Sequence, residues 1–212
     1  MRLVLLSDTH NRLSDVKVPD GDVLIHAGDS TMGGTPREII VFSQALHALP
    51  HKTKICIAGN HDWGFERDTM LARGWLGSDI IYLNHEVYQL GPYKVFGSPW
   101  TPWFNDWAFN GPRVSSGGAL FMRHKWAQIP DDTNILITHG PPYGVLDLVQ
   151  YPEQHVGDQE LAARLPFLTD LRLHVCGHIH EGYGISEDGI TVNASIMDDG
   201  YRAVNTPIVV DL

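Results

Sequence analysis

Residues 3–10 read LVLLSDTH, an apolar run that ends abruptly in side chains able to bind a metal or move a proton. A short run of this kind, rich in leucine and valine, is typical of a strand buried on both faces of a sheet. The arrangement recurs along the chain, each run ending in Asp, Asn or His. The five predicted strands cover residues 3–7, 23–27, 54–58, 135–138 and 174–176.

Length and composition indicate a folded globular chain. Its 212 residues are 43% hydrophobic and 19% charged, enough for a sizeable core, and we expect one domain spanning residues 1–212. The beginning turns polar too early for a signal peptide, and no apolar run approaches the roughly 20 residues that span a bilayer. Cys56 and Cys176 lie inside apolar runs, so we expect buried thiols in a reducing, cytoplasmic compartment.

The formal net charge of −10 argues against a nucleic-acid polymer as partner, because such binding needs a basic surface. Nothing in the sequence predicts a membrane partner, and the oligomeric state is left open between monomer and homodimer. The chain has 12 histidines, the residue most often used as a metal ligand and as an acid or base near neutral pH. Their positions along the chain are more informative than their number.

Helical patterns lie between some of the predicted strands. The strongest covers residues 36–49, where Thr35 and Glu38 form a capping box and Pro36 occupies the first helical position. Weaker patterns cover residues 116–128 and 158–165. Turn signals predict short antiparallel strands at residues 80–97 and 183–210. The chain therefore reads as an α/β protein with two mixed β-sheets packed as a sandwich and flanked by helices.

The polar residues at the strand ends form a candidate metal site. Ligands bind beyond the carboxyl ends of strands in open α/β sheets, and alternate residues of an extended segment point to the same side. Imidazole and carboxylate oxygen together suit transition metals, and a single catalytic zinc takes about three protein ligands. The set therefore fits two ions that share one carboxylate. The candidate ligands are Asp8, His10, Asp29, Asn60, His139, His178 and His180.

These motifs, in this order, resemble the signature of calcineurin-like metallophosphoesterases. The matching blocks are Asp8-x-His10, Gly28-Asp29, Gly59-Asn60-His61-Asp62, His139 and Gly177-His178-x-His180.

Two further stretches extend the resemblance. Residues 97–110, GSPWTPWFNDWAFN, and residues 181–184, EGYG, are similar to the small metallophosphoesterase-domain-containing subfamily. That subfamily is grouped with cyclic-nucleotide phosphodiesterase-like enzymes. The resemblance implies a metallo-dependent phosphatase-like α/β/β/α sandwich and two divalent transition-metal ions. Mn²⁺ is the foremost choice, with Fe, Zn, Co or Ni also possible.

The resemblance also implies a role for each residue. Asp29 would bridge the two ions, and His61 would act as general acid without binding metal. For Asp62, which also belongs to the candidate catalytic residues, the sequence itself leaves two alternatives: it orients His61, or it caps the following turn. The first ion would be held by Asp8, His10 and His180, and the second by Asn60, His139 and His178.

The implied activity is hydrolysis of a small phosphodiester, of the nucleotide or cyclic-nucleotide class, by a metal-bridging hydroxide. The alternatives are a phosphomonoesterase or nuclease of the same superfamily, or a metal-binding scaffold without catalysis. One departure is informative. Protein phosphatases of the superfamily carry Gly-Asp-x-x-Asp-Arg-Gly, whereas residues 28–34 read GDSTMGG. The arginine that grips phosphate in those relatives is absent, which disfavours a phosphoprotein substrate.

Three tryptophans, Trp100, Trp103 and Trp107, fall in one segment with two phenylalanines. They predict either a loop packed by its own aromatic residues or a wall on which a base or aryl group stacks. Further along, Asp198 and Asp199 predict a solvated turn. The remaining histidines are expected on the surface or in the core, with His26 able to support a ligand from behind.

Overall fold

The computed structural model describes residues 1–112 and 119–212. The helices are α1 (Pro36–His47), α2 (Trp63–Arg67), α3 (Thr69–Leu76), α4 (Ala119–Trp126) and α5 (Gln159–Arg164), with 3-10 helices at Leu13–Asp15, Leu165–Phe167 and His180–Gly182. The strands are β1 (Arg2–Leu6), β2 (Val23–His26), β3 (Thr53–Cys56), β4 (Ile81–Tyr82), β5 (Glu86–Leu90), β6 (Tyr93–Ser98), β7 (Thr101–Pro102), β8 (Asn110–Gly111), β9 (Ile135–Thr138), β10 (Leu148–Gln150), β11 (Glu153–His155), β12 (Leu173–Cys176), β13 (Gly184–Ile185), β14 (Thr191–Asn193) and β15 (Ile208–Asp211).

The first sheet has the order β15-β1-β2-β3-β4. Strands β1 to β4 run parallel, and β15 pairs antiparallel with β1 at one edge. Strands β1 and β2 are almost wholly buried, as the continuous apolar runs predict for parallel strands covered on both faces.

The second sheet has the order β13-β14-β12-β9-β6-β5. Its central strands β14, β12, β9 and β6 are parallel, while β13 and β5 pair antiparallel at the two edges. The antiparallel hairpin β10–β11 and the parallel pair β7–β8 lie outside the two large sheets. Both large sheets are therefore mixed.

The core lies in layers that follow the two-residue period of the strands. Leu3 and Leu5 face the second sheet and share a buried cluster with Ile135 and Ile137. The alternate residues Val4 and Leu6 face outward and pack in a cluster with Ile39 and Phe42 of α1. On the far side of the second sheet, Phe96 and Leu136 pack with Trp126 of α4 and Leu161 of α5. The predicted α/β sandwich flanked by helices is confirmed.

Several local predictions differ from the structure. Helix α1 has the predicted capping box but ends at His47, two residues before the predicted end. Helices α2 and α3 were not predicted. Strand β4 joins the first sheet in parallel instead of forming an antiparallel pair, and β14 pairs parallel with β12. Helix α4 begins at Ala119, and residues 116–118 of the predicted helix lie outside the described residues.

Two further observations concern the cysteines and the helices. Cys56 and Cys176 are buried free thiols, as expected. In the two described stretches of the chain, no helix combines the length and the apolar character needed to cross a membrane.

Candidate metal centre

The candidate ligands come from the carboxyl ends of strands in both sheets. Strands β1, β2 and β3 of the first sheet lead into the loops that carry four of them. Strands β9 and β12 of the second sheet supply the other three. In chain order, Asp8 and His10 follow β1, Asp29 follows β2, Asn60 follows β3, His139 follows β9, and His178 and His180 follow β12.

Four candidate ligands have a left-handed backbone, with φ of 54° at Asp8, 40° at His10, 53° at Asp29 and 68° at His178. Such angles are uncommon in residues other than glycine and cluster at functional sites, where the surrounding structure must stabilise them. Here neighbouring loops hold each other, because the Asp8 N–H donates to the carbonyl of Gly28 at 2.9 Å and the His10 N–H to that of Asp29 at 3.0 Å.

Glycine is required where these loops approach the side chains of the site. A Cβ on Gly28, whose φ is +101°, would lie 2.6 Å from Nδ1 of His139. A Cβ on Gly177 would lie 2.2 Å from Oδ2 of Asp8. Any side chain at either position would push a candidate ligand out of place.

Asp8, His10 and His180 form the first cluster, with one ligand atom from each lying within 4.8 Å of the others. Oδ2 of Asp8 accepts hydrogen bonds from the His178 N–H at 2.9 Å and the Ser195 hydroxyl at 2.8 Å. Its Oδ1 is buried and has Nε2 of His180 at 3.6 Å but no hydrogen bond to any described residue, and both ring nitrogens of His10 also lack one. Buried polar atoms are normally satisfied, so these unsatisfied atoms fit a cation.

Asp29, His139 and His178 form the second cluster, with the same limit of 4.8 Å. Nε2 of His139 lies 2.9 Å from Oδ1 of Asn60 and 3.3 Å from Oδ2 of Asp29. His139 Nδ1–H donates to the Ala27 carbonyl at 2.9 Å, so in the neutral ring Nε2 is itself an acceptor. In the metal-free site Nε2 shares a proton with these two oxygens, and a cation would take the place of that proton.

The electrostatics favour positive charge at this point. Burial opposes a charge on His139, but Asp29 and Asp8 outweigh it and raise the pKa of His139 to about 9. Burial would likewise raise the pKa of Asp29, yet the charges of His139, His10 and His61 hold it below its ordinary value. The buried carboxylate is therefore anionic and attracts cations.

Asp29 lies between the two clusters. Its Oδ2 is 3.3 Å from Nε2 of His139 in the second cluster and 3.9 Å from Nε2 of His10 in the first. His180 is oriented from behind, because its Nδ1–H donates to the Asp198 carbonyl at 3.0 Å. That bond leaves Nε2 facing Asp8, which is the usual way a ligating imidazole is fixed.

His61 lies at the edge of both clusters. Its backbone N–H donates to Oδ1 of Asp29 at 2.8 Å, and its Nδ1–H donates to the Met32 carbonyl at 3.1 Å. Nε2 is 4.0 Å from Oδ2 of Asp29, and the ring lies against Trp107 with centroids 4.3 Å apart. The same nitrogen is also close enough to His10 and Asp29 for the three to hold a cation.

Asp62 has neither of the two contacts considered from the sequence. It is the N-cap residue of α2, yet its side chain makes no capping bond. Its carboxylate instead accepts from the N–H groups of Ser30, Thr31 and Gly59 at 2.9–3.1 Å. Burial and the nearby charge of Asp29 raise its pKa to about 6. Asp62 thus joins the loop that carries Asp29 to the loop that carries Asn60.

His26 lies behind the first cluster. Its Nε2 is 2.9 Å from the hydroxyl of Thr9, the residue between two candidate ligands. Burial lowers the pKa of His26 to about 3, so its ring is neutral. It supports the loop without facing the site.

A cleft of about 560 Å³ opens over the clusters. Trp107 and Phe104 line it, whereas Trp100 packs against Phe109 and Phe121 away from it. Trp103 is 51% exposed and is not among the lining residues. Part of the aromatic segment therefore packs on its own residues and part lines the cleft, and the stacking of a base or aryl group stays a prediction.

Two parts of the cleft were not predicted from the sequence. Hairpin β10–β11 contributes a wall through Val149, Tyr151 and Gln154, and Tyr201 covers the clusters from the loop after β14. Neither belongs to a motif or follows a strand end, so no signal in one sequence distinguishes these residues from other surface residues.

Two mixed sheets that carry paired His/Asp clusters at their strand ends are the architecture of a metallophosphoesterase domain. Residues 1–182 match the family model described as Calcineurin-like phosphoesterase, and the chain belongs to that family. The family is metal-dependent, and the activity it supports is phosphoester hydrolysis.

Similar proteins come from several organisms. The whole chain is 43% identical to human Metallophosphoesterase domain-containing protein 1 and aligns with 71% of that protein. It is 33% identical to a UPF0046 protein of Caenorhabditis elegans, covering 81% of it. A third relative is a probable rhamnogalacturonate lyase C of Emericella nidulans. The alignment covers 87% of this chain and 17% of that protein, and the aligned residues are 40% identical.

Proposed function

We propose that this protein hydrolyses a small phosphodiester with two bound divalent transition-metal ions. The main support for this proposal is the position of Asp29. Its carboxylate lies between two ligand clusters and within 4.0 Å of the His61 ring. Two ions at such a site would lower the pKa of a water molecule and offset the charge of the phosphoryl oxygens.

The ligand chemistry supports a transition metal. Mixed imidazole and carboxylate ligands favour Mn, Fe, Zn, Co or Ni, and we propose Mn²⁺ as the first ion to test. Asp8, His10 and His180 would hold one ion. Asn60, His139 and His178 would hold the other, and Asp29 would bridge them.

We assign the proton that the leaving oxygen needs to His61. The bond from its Nδ1 to the Met32 carbonyl leaves Nε2 as the nitrogen on the side of Asp29 and the cleft. Trp107 packs against the ring and restricts its rotation. A histidine so held can give a proton to an alkoxide as the ester bond breaks.

The charge of the cleft supports a diester with one negative charge. Among the described residues that line it, none is lysine or arginine, whereas Glu181 and Asp199 are both there. Two ions would attract either class of ester, but the side chains around them offer no cationic partner for the second charge of a monoester or for the further phosphates of a polymer. We therefore propose a small-molecule substrate and no nucleic-acid partner. The two free thiols support a cytoplasmic location.

The decisive experiment removes the shared carboxylate. Metal-stripped protein is assayed on bis(p-nitrophenyl) phosphate with and without Mn²⁺, beside Asp29→Asn and, as control, Asp20→Asn at an exposed position. We expect Mn²⁺-dependent hydrolysis that falls at least about 100-fold in Asp29→Asn and persists in the control. Hydrolysis of p-nitrophenyl phosphate alone would replace the diesterase with a monoesterase. No turnover with Mn²⁺, or with Fe, Zn, Co or Ni in its place, would favour a metal-binding scaffold without catalysis.

A further inference from the structure

The loop that carries Tyr201 is tightly constructed for a surface turn. The Asp198 carboxylate accepts from the N–H groups of Gly200 and Arg202, each at 3.0 Å, and from Nε of Arg202 at 2.8 Å. The carbonyl of Tyr201 accepts from Nη1 of Arg12 at 3.2 Å. Residues 198–202, predicted from the sequence to include a solvated turn, thus form a hydrogen-bonded support for Tyr201.

The support holds Tyr201 in a backbone conformation that a bulky residue seldom adopts, with φ of 56°. Strain of this kind persists only where the surroundings fix it, and it points to a role for the residue so held. The same loop orients His180 through the carbonyl of Asp198. One short segment therefore positions a candidate ligand and the Tyr201 ring together.

The Tyr201 ring stands over the histidines of the site. Its centroid lies 4.8 Å from that of His10, 5.7 Å from that of His180 and 6.1 Å from that of His61, each nearly edge to face. Tyr201 lines the cleft and is 39% exposed. Its hydroxyl makes no hydrogen bond to any residue that the structure describes, so a ligand in the cleft can use it.

A non-bridging phosphoryl oxygen in this cleft would be stabilised further by a hydrogen-bond donor of the protein. The arginine of the protein-phosphatase motif is absent from residues 28–34. The nearby guanidinium of Arg202 is paired with Asp198, and that of Arg12 with Asp15. Neither lines the cleft. A phenol hydroxyl supplies a directed hydrogen bond without adding charge.

We propose that Tyr201 binds the substrate: its hydroxyl donates a hydrogen bond to a non-bridging phosphoryl oxygen, in place of a cationic side chain. This inference rests on the proposed phosphodiesterase function. A neutral donor suits a monoanionic diester, whereas a guanidinium would also suit a dianionic monoester. Tyr201 would therefore help to set the choice between the two substrate classes.

Tyr201→Phe tests the proposal because it removes the hydroxyl and keeps the ring. Tyr143→Phe, at an exposed tyrosine that does not line the cleft, is the matched control. With Mn²⁺-loaded protein we expect kcat/KM on bis(p-nitrophenyl) phosphate to fall at least about 10-fold, as for loss of a hydrogen bond to a charged group. The inhibition constant of inorganic phosphate should rise in parallel, with metal content and thermal midpoint unchanged.

The same assays separate the possible failures. A Tyr201→Phe protein that matches the Tyr143→Phe control in both turnover and phosphate binding would overturn the role of Tyr201. Absence of turnover in the unmodified protein would instead refute the proposed function, and phosphate binding would still decide about Tyr201. Tyr201→Arg gives a second measurement, because the added cation should raise the ratio of monoester to diester hydrolysis about 10-fold, and an unchanged ratio would count against the proposal.

Discussion

At the scale of single residues, His61 is the member of the site with two chemically possible roles. Its Nε2 is near enough to His10 and Asp29 to join a metal cluster, yet its backbone is bonded to Asp29 and its ring packs on Trp107. The resemblance to the family implies an acid that does not bind metal. Metal content and turnover, measured on the same variant, separate the two roles.

For His61→Ala we expect the full metal content and a fall in kcat of about 10²- to 10⁴-fold, the usual contribution of a positioned general acid. Metal content is measured by elemental analysis after gel filtration, and kcat on bis(p-nitrophenyl) phosphate. His124→Ala, at an exposed position, serves as control. Loss of one equivalent of metal from a folded His61→Ala protein would make His61 a ligand.

At this scale the sequence predicts candidate functional residues best where they lie together in short motifs. Asp8 and His10, or His178 and His180, are two positions apart, so their convergence follows from the geometry of an extended segment. The structure adds that all of the candidate ligands converge, while their roles remain predictions. Tyr201 could not be found in this way, because its place over the site depends on a loop built by Asp198 and Arg12.

At the scale of elements, the loops after β2 and β3 are joined through one buried carboxylate. Asp62 satisfies backbone N–H groups of Ser30 and Thr31 in one loop and of Gly59 in the other. The first loop follows Asp29 directly, and the second contains Asn60. The Asp62 carboxylate thus helps to set the separation of two candidate ligands, Asp29 and Asn60.

We expect Asp62→Ala to lower the free energy of unfolding by roughly 3 kcal/mol or more, because it leaves several buried N–H groups unpaired. Metal affinity should fall about 10- to 100-fold, as for other residues that orient ligands. Urea unfolding and metal titration measure the two effects. Asp68→Ala, which removes the N-cap of α3, should cost about 1 kcal/mol and leave metal affinity intact. Equal metal affinity in both variants would contradict this role.

Elements differed in how far the sequence predicted them. Buried parallel strands are apolar runs, so β1, β2, β3, β9 and β12 were found within one or two residues. Helices α2 and α3 were missed because they are short, each contains a glycine, and a single residue, Asp68, separates them. Strand β4 has two residues, and its parallel pairing with β3 depends on the neighbouring sheet more than on its own sequence.

At the scale of the whole molecule, buried neutral histidines couple folding to pH. His174 is fully buried in the second sheet, with Nε2 2.8 Å from the hydroxyl of Thr138. Burial lowers its pKa to about 3. In the unfolded chain the pKa of His174 has its ordinary value, so the side chain binds a proton below about pH 6.5. In the folded chain it stays neutral until the pH falls to about 3. The stability due to a neutral His174 is present above pH 6.5 and is lost as pH falls toward 3.

From this we expect the unmodified chain to lose about 2 kcal/mol more stability between pH 7 and pH 5 than His174→Gln, at roughly 1.4 kcal/mol per pH unit below 6.5. Urea unfolding in the presence of a chelator measures the difference without a contribution from bound metal. His124→Gln, at an exposed position, should follow the unmodified chain. Parallel pH profiles for all three proteins would show that burial of His174 is not the cause.

The two clusters also link the site to the order of the chain. Strands β1 to β4 precede residue 83, and β5 to β14 follow it. The first cluster combines Asp8 and His10 from the earlier part with His180 from the later one, and the second combines Asp29 with His139 and His178. The ligands of each ion would therefore come from both parts of the polypeptide. Each ion would be bound tightly only after both parts have folded and packed together. Cation binding would then follow the packing of the two parts against each other, and cation release would accompany the first step of their separation.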